Sequence, residues 1–409
     1  MKKTIQRKYA RLIARVGAKI EKGQSVVIEA QADRYEFITI LVDECYKAGA
    51  KKVTVDWQYQ PVTKLKYRHC PATTIGKVEP WEEQRLKDYS EKLPCRIYIM
   101  SEDPDGLNGI NREKMLKAQQ IRYKTVKPYR DAMDNKYQWC IAAVPSPEWA
   151  RKVFPGERTS SAVEKLWRAI LETVHVTEDN DPIEAWEEHN RKFAERSKIL
   201  NDMHLSEIHY KSSNGTSFTA GLIPEAKWEG GGEYTLLGKY FNPNMPTEEI
   251  FTSPMAGNAE GTLVATKPLS YGGEIIDKFS ITFKDGCAVS WTAEKGQTAL
   301  DKMLSADEGA RKLGELALVP YDSPINMQNI LYFNTLFDEN ACCHVALGEG
   351  FTNLIDGYEN KTKEELHSMG INDSMIHVDF MIGSRDLEII GKNAAGKEYE
   401  IFKNGNFCF

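Results

Sequence analysis

Between residues 25 and 144, short apolar runs alternate with stretches of helical periodicity. This alternation restricts the first half of the chain to a largely parallel sheet covered by helices. The runs are Ser25 to Ala30, Lys52 to Trp57, Arg96 to Met100 and Trp139 to Val144. Tyr35 to Lys47, Glu82 to Glu91 and Asn111 to Gln120 have helical spacing between them. Two more helices are expected over Ser160 to Val174 and Pro182 to Met203. The second carries Trp186, Phe193 and Leu200 at sevenfold spacing, which predicts packing against a partner element. The opening twenty residues are basic, but Ile5, Tyr9, Leu12, Ile13, Val16 and Ile20 recur between the charges. That pattern predicts an amphipathic first helix, not the uninterrupted apolar stretch of a secretory signal; a mitochondrial transit peptide is the rival on composition.

The pattern changes near residue 205. Ile208 to Ser212 and Ser217 to Ala220 flank Asn214-Gly215, and Lys278 to Phe283 and Cys287 to Thr292 flank Asp285-Gly286; both are hairpin signals. Lys392 to Glu400 and the Asn404-Gly405 turn add further short strands, and one helix is expected near Ala306 to Ala317. A chain of 409 residues suggests two domains. The expected fold is an α/β N-terminal domain over 1–205 and an α+β, β-rich C-terminal domain over 206–409.

A net charge of −6 argues against a nucleic-acid partner, and no apolar stretch approaches the roughly 18 residues that span a bilayer. The eight cysteines are scattered with no C-x-x-C pair, which fits reduced thiols and a cytoplasmic protein; adjacent Cys342 and Cys343 read as core packing. No G-x-G-x-x-G follows the first strand, and Gly230-Gly231-Gly232 neither follows a clear strand nor opens a clear helix, so a nucleotide site has little support. G-x-S-x-G and H-E-x-x-H are both absent.

His377 and Asp379 lie two apart in an apolar run, so on a strand they project to one face while Val378 and Phe380 pack the other. An imidazole beside a carboxylate is half of a divalent-metal site, and equally a histidine hydrogen-bonded to its neighbour. Glu339 precedes His344 by five residues, just before Gly348 and Gly350. Glu248 and Glu249 follow Pro246-Thr247; adjacent loop glutamates are usually solvated. Glu315 sits in an apolar stretch read as helical, and its burial needs a partner: a metal, or a cation such as Arg311.

Four ordered segments, NMPTEEIFTSP (244–254), KLGELALV (312–319), NTLFDENACCHVALG (334–348) and HVDFMIGS (377–384), resemble signatures of the aminopeptidase T / aminopeptidase S family of metallopeptidases. PSPEWARKVFP (145–155), YGGEIIDKF (271–279) and NGNFCF (404–409) extend the resemblance over almost the whole chain. It implies an N-terminal α/β domain, a metal-binding C-terminal domain and a homodimer. It also implies two divalent ions per subunit (zinc, cobalt, manganese or magnesium) held by Glu249, Glu315, His344, His377 and Asp379, with Glu339 as a further acidic position. The implied activity is removal of the N-terminal residue from short peptides by a metal-activated water, with Glu315 as first candidate for general base and Glu249 as second. One position departs: the family's tyrosine seven residues after the first ligand histidine is Phe351 here, unless Tyr358 supplies the phenol. The departure leaves two alternatives open, a catalytically impaired metal- or peptide-binding homologue and a metallohydrolase of another amide.

Overall fold

The structure is a computed structural model describing residues 1–409. Helix α1 (Lys3–Leu12) runs into a π-helical turn at Ile13–Gly17. The apolar positions Ile5, Tyr9, Leu12, Ile13, Val16 and Ile20 are all buried, as their spacing predicts. Strands β1 (Ser25–Gln31), β2 (Lys52–Gln58), β3 (Cys95–Met100) and β4 (Trp139–Ala143) form a parallel sheet in the order β2-β1-β3-β4. Parallel neighbours need long crossovers, and helices supply them. These are α2 (Tyr35–Ala48), then α3 (Gln60–His69), α4 (Ala72–Gly76) and α5 (Pro80–Lys92), then α6 (Arg112–Met133). Helix α6 runs well beyond the expected end at Gln120. Only Ala118 and Met133 are buried on it, so it has too few core positions to show a period. Helices α7 (Pro147–Val153), α8 (Thr159–Thr173) and α9 (Pro182–Asp202) follow.

Two compact units result: Met1–Glu187 with Gly232–Pro246, and Glu188–Gly231 with Thr247–Phe409. The division thus lies inside α9, ahead of residue 205. Phe193 and Leu200 of this helix join the second unit's core. After β5 (Leu205–Lys211), β6 (Ser217–Leu222) and β7 (Glu229–Gly230), the chain returns to the first unit for β8 (Glu233–Tyr234) and β9 (Tyr240–Phe241).

The second unit continues through β10 (Ile250–Thr252), β11 (Pro254–Val264), β12 (Leu269–Tyr271), β13 (Glu274–Lys284) and β14 (Cys287–Lys295). Helix α10 (Gln297–Leu304) follows, then β15 (Leu313–Leu318), β16 (His344–Gly348), β17 (His377–Met381), β18 (Glu388–Asn393), β19 (Glu398–Lys403) and β20 (Asn406–Phe407). A nine-stranded sheet runs β12-β13-β11-β6-β5-β18-β19-β20, with β14 also on β13. Both expected hairpins are in it: β5 pairs with β6 and β13 with β14. At the second turn Asp285 (φ 51°) and Gly286 (φ 75°) take the left-handed backbone that a two-residue hairpin turn demands. The other sheet is antiparallel in the order β17-β16-β15-β10-β7. Phe218, Phe279 and Phe283 of the large sheet share one core with Leu316, Val345 and Phe380 of the small one.

The helix expected over Ala306 to Ala317 is not formed. Helix α10 ends at Leu304, a 3-10 turn spans Gly309–Arg311, and Leu313–Leu318 is a strand. All six strand residues are buried. A strand covered on both faces has no alternation, so its short apolar run reads like buried helix.

Candidate metal centre

Three neighbouring strands of the small sheet carry the centre. Register places Glu315 of β15 opposite Ala346 of β16, and Ala346 opposite Asp379 of β17. The next rows pair Ala317 with His344 and Gly348 with His377. Paired residues share a face, and so do residues two apart on one strand. Glu315, His344, His377 and Asp379 therefore project together, around the short side chain of Ala346. On the opposite face Val345 and Phe380 are buried in the core.

Glu249 arrives just ahead of β10, whose Ile250 pairs with Leu318 of β15. Glu248 and Glu249 are both buried, not solvated as loop glutamates usually are. The Glu248 N–H donates to Asn340 Oδ1 at 2.7 Å, and Asn340 Nδ2 donates to the Leu336 carbonyl at 3.1 Å. Asn340 is fully buried, so it pins the glutamate loop to the segment carrying Glu339.

Two overlapping triads result, Glu249–Glu315–His344 and Glu315–His377–Asp379, each with its ligand atoms within 4.8 Å of one another. Glu315 belongs to both. His344 Nε2 lies 3.2 Å from Glu249 Oε2, and His377 Nε2 lies 3.1 Å from Glu315 Oε2 and 3.4 Å from Asp379 Oδ1. The other nitrogen of each ring points outward. His377 Nδ1–H donates to the Glu349 carbonyl at 2.8 Å, and His344 Nδ1–H to that of Cys342 at 3.3 Å. Carbonyl acceptors at Nδ1 fix the tautomer that leaves Nε2 for a metal. Asp379 Oδ1 is buried with no hydrogen-bond partner.

The electrostatics fit a cation. Burial raises the Glu315 carboxyl to about 7, against the pull of its bond with His377 and with the negative charges of Asp379 and Glu249 adding to the rise. Glu339 is raised well above the ordinary range by burial and by the charges of Glu249 and Asp379. Desolvation opposes a charged His377, but the neighbouring carboxylates of Asp379 and Glu315 outweigh it and lift the ring to about 11. His344 is likewise raised despite its burial, through Glu249. Asp379, though buried, is held below the ordinary range by His377. Four carboxylates meet two imidazoles, all but His377 largely buried, so the centre attracts positive charge strongly. Mixed carboxylate and imidazole donors and an orphaned buried oxygen suit divalent cations.

Five of the six anticipated residues are thus brought together in the triads; Glu339 lies outside them, near enough for the charges of Glu249 and Asp379 to act on it. Arg311 is not Glu315's partner: its Nε donates to the Leu304 carbonyl at 3.1 Å and its guanidinium lies over the Trp291 ring. The Phe351 ring sits 5.0 Å from that of His377, and Ser253 Oγ accepts from its backbone N–H at 2.7 Å. Tyr358 packs against the small cluster of Ile223, Ile355, Leu366 and Ile371. Two positioning residues went unread in the sequence, Asn340 and Ala346. Asn340 lies beside Glu339 in the run Asp338-Glu339-Asn340, where three polar residues within an apolar stretch signal a buried network.

The Thermophilic metalloprotease (M29) family matches residues 2–407. The chain belongs to the M29 metalloprotease family. Relatives of this M29 chain include "Aminopeptidase AmpS" of Bacillus subtilis, 41% identical with 98% of each chain covered. "Aminopeptidase 2" of Geobacillus stearothermophilus is 38% identical over 98% of this chain and 97% of its own. The solved structure of wild-type AmpT from Thermus thermophilus superposes with a TM-score of 0.92 at 35% identity, covering both chains fully. The parallel sheet with its helices and the antiparallel sheets are thus the architecture of an M29 enzyme, a metal-dependent hydrolase. No helix is long and apolar enough to cross a membrane, and all eight cysteines are free thiols.

Proposed function

We propose that this protein is a cytoplasmic, homodimeric aminopeptidase that removes the N-terminal residue from short peptides with two divalent cations per subunit. The observation that carries the reading is the pair of triads sharing Glu315, in a chain whose relatives are named aminopeptidases. Glu249 and His344 would hold one cation and His377 and Asp379 the other, with Glu315 common to both triads and Glu339 a further acid beside them. Zinc, cobalt, manganese and magnesium all suit this donor set. Bound there, the ions polarise the scissile carbonyl and lower the pKa of the attacking water.

The shared position of Glu315 bears on the choice of base. A carboxylate shared by both cations would be a poor proton acceptor, so of the two candidates Glu249, which belongs to one triad only, would be the one to take the water's proton and return it to the leaving amine. The acidic cluster also pairs with the substrate's free α-ammonium, which confines cleavage to the first bond. Phe351 places an apolar ring where a phenol would donate to the developing oxyanion. With every other site residue in place, this weakens turnover but does not point to a binding-only homologue or to another amide substrate. The test is titration of apo protein with each metal while following release of the first residue from tripeptides. The expected activity saturates at two equivalents per chain; saturation at one would remove the two-ion arrangement.

A further inference from the structure

The two histidines of the centre are held in different ways. The His344 side chain is 1% exposed and fixed by its surroundings, whereas that of His377 is 28% exposed, so its direction depends on the backbone that delivers it. The three residues before His377 each donate their N–H to a side chain. Ser374 N–H donates to Glu349 Oε2 at 2.6 Å, Met375 N–H to Asp307 Oδ2 at 2.6 Å and Ile376 N–H to Ser374 Oγ at 3.2 Å. The Ser374 hydroxyl in turn donates to Asp307, at 2.8 Å from Oδ1 and 3.0 Å from Oδ2. Asp307 also accepts from the Ala310 N–H at 2.8 Å, so it joins this segment to the 3-10 turn that leads into β15. Buried Asn372 ties the same segment down a second time: its Nδ2 donates to the carbonyls of Gly309 at 2.9 Å and Gly348 at 2.6 Å. The approach is close, since a Cβ on Gly309 would stand 1.9 Å from the Asp373 carbonyl oxygen.

We infer that Asp307 is a positioning residue of the centre: through Ser374 and Met375 it aims His377, and so sets how tightly the His377–Asp379 half holds its cation without touching it. The inference rests on the two-ion reading above. A half-exposed imidazole that is free to swing loses that freedom on binding a cation, whereas one already fixed has lost it on folding. A carboxylate suits the task because it only accepts and has room for several donors. Here it takes one hydroxyl and two N–H groups, and bonds to an ionised acceptor are stronger than neutral ones. Its partners lie just ahead of β15, which carries Glu315, and just ahead of β17, which carries His377, so it fixes the starts of these two strands against each other. Glu349 passes the constraint on to the ring. Its side chain holds the Ser374 N–H while its own carbonyl accepts from His377 Nδ1–H at 2.8 Å.

The experiment titrates apo protein with cobalt(II) by equilibrium dialysis, with calorimetry of each apo protein alongside. Wild type is compared with Asp307→Ala, Ser374→Ala, the double variant and His377→Ala. Ser374→Ala breaks the link without altering charge, and it keeps the test decisive should Asp307→Ala fail to fold. His377→Ala marks which binding step belongs to its half of the centre. The expected result is two steps in the wild type. Asp307→Ala weakens the marked step by about 10- to 100-fold, the range for a lost outer partner of a metal ligand, and leaves the other step unmoved. Ser374→Ala shifts the same step in the same direction. The double variant binds no more weakly than Asp307→Ala, because both changes cut one chain of bonds. A merely structural role would lower the melting temperature and leave both affinities of the folded protein where they were, which overturns the inference. Two steps weakened alike, or losses that add in the double variant, overturn it as well. Wild-type protein that takes up fewer than two equivalents removes the two-ion reading and the positioning role with it. Two equivalents held equally well by wild type and variants remove the positioning role alone.

Discussion

At the scale of single residues, Glu315 and Glu249 separate experimentally. Glu315→Gln removes the shared ligand, so we expect metal content to fall below two ions per chain and kcat/KM to fall on the order of a thousandfold. Glu249→Gln should cost a similar factor in kcat while retaining more of the metal. Elemental analysis beside the kinetics checks both, and full activity in Glu249→Gln would return the base role to Glu315. Phe351 lies 5.0 Å from the His377 ring, close enough for a substituent to act at the centre. Phe351→Tyr should raise kcat by about tenfold or more with little change in KM, since an oxyanion donor can contribute on the order of 100- to 1000-fold. An unchanged kcat would show that this position plays no part in turnover. Glu315 was legible because it carries chemistry in a short apolar context, whereas Glu249 and Phe351 were singled out only by the resemblance of their segments to the aminopeptidase T / aminopeptidase S signatures. Arg311 was misjudged as a partner for Glu315 because, in a helix, the two would lie one turn apart.

At the scale of elements, the hairpins were readable because Asn-Gly and Asp-Gly turns between alternating runs leave few other folds open. Strand β15 was not, because a fully buried strand has no period of two to find. Ala346 was invisible for another reason: its importance lies in standing across from Glu315 and Asp379, and pairing between strands is a long-range fact. Ala346→Leu would fill the space among the ligands. We expect loss of metal binding together with a destabilisation of about 1–3 kcal/mol from overpacking, checked by metal content and denaturant unfolding. Asn340→Ala leaves the buried Glu248 N–H without its acceptor and loosens the loop that presents Glu249. The expected cost is about 1–3 kcal/mol of stability and a lower kcat, measured on the same variant.

At the scale of the whole molecule, the change from helix-rich to strand-rich sequence near residue 205 was visible, but the return of Gly232–Pro246 to the first unit was not. That segment joins the unit through distant contacts, such as the Asn242 N–H donating to the Gly17 carbonyl at 2.8 Å, which no local pattern announces. A metal held by the two triads would tie the second unit's small sheet to the loop before β10, so chelation should lower the melting temperature as well as abolish activity. Ligand at a hundredfold excess over Kd stabilises by about 2.7 kcal/mol. Calorimetry of apo and reloaded protein checks this, and identical melting curves would show that the cluster holds no ion. The central claim, a metal-dependent aminopeptidase, is tested most directly by giving reloaded enzyme the same tripeptides with free and with acetylated N-termini. The account predicts release of the first residue from the free peptides alone, and only with metal present. Cleavage of the acetylated peptides at comparable rates would contradict it.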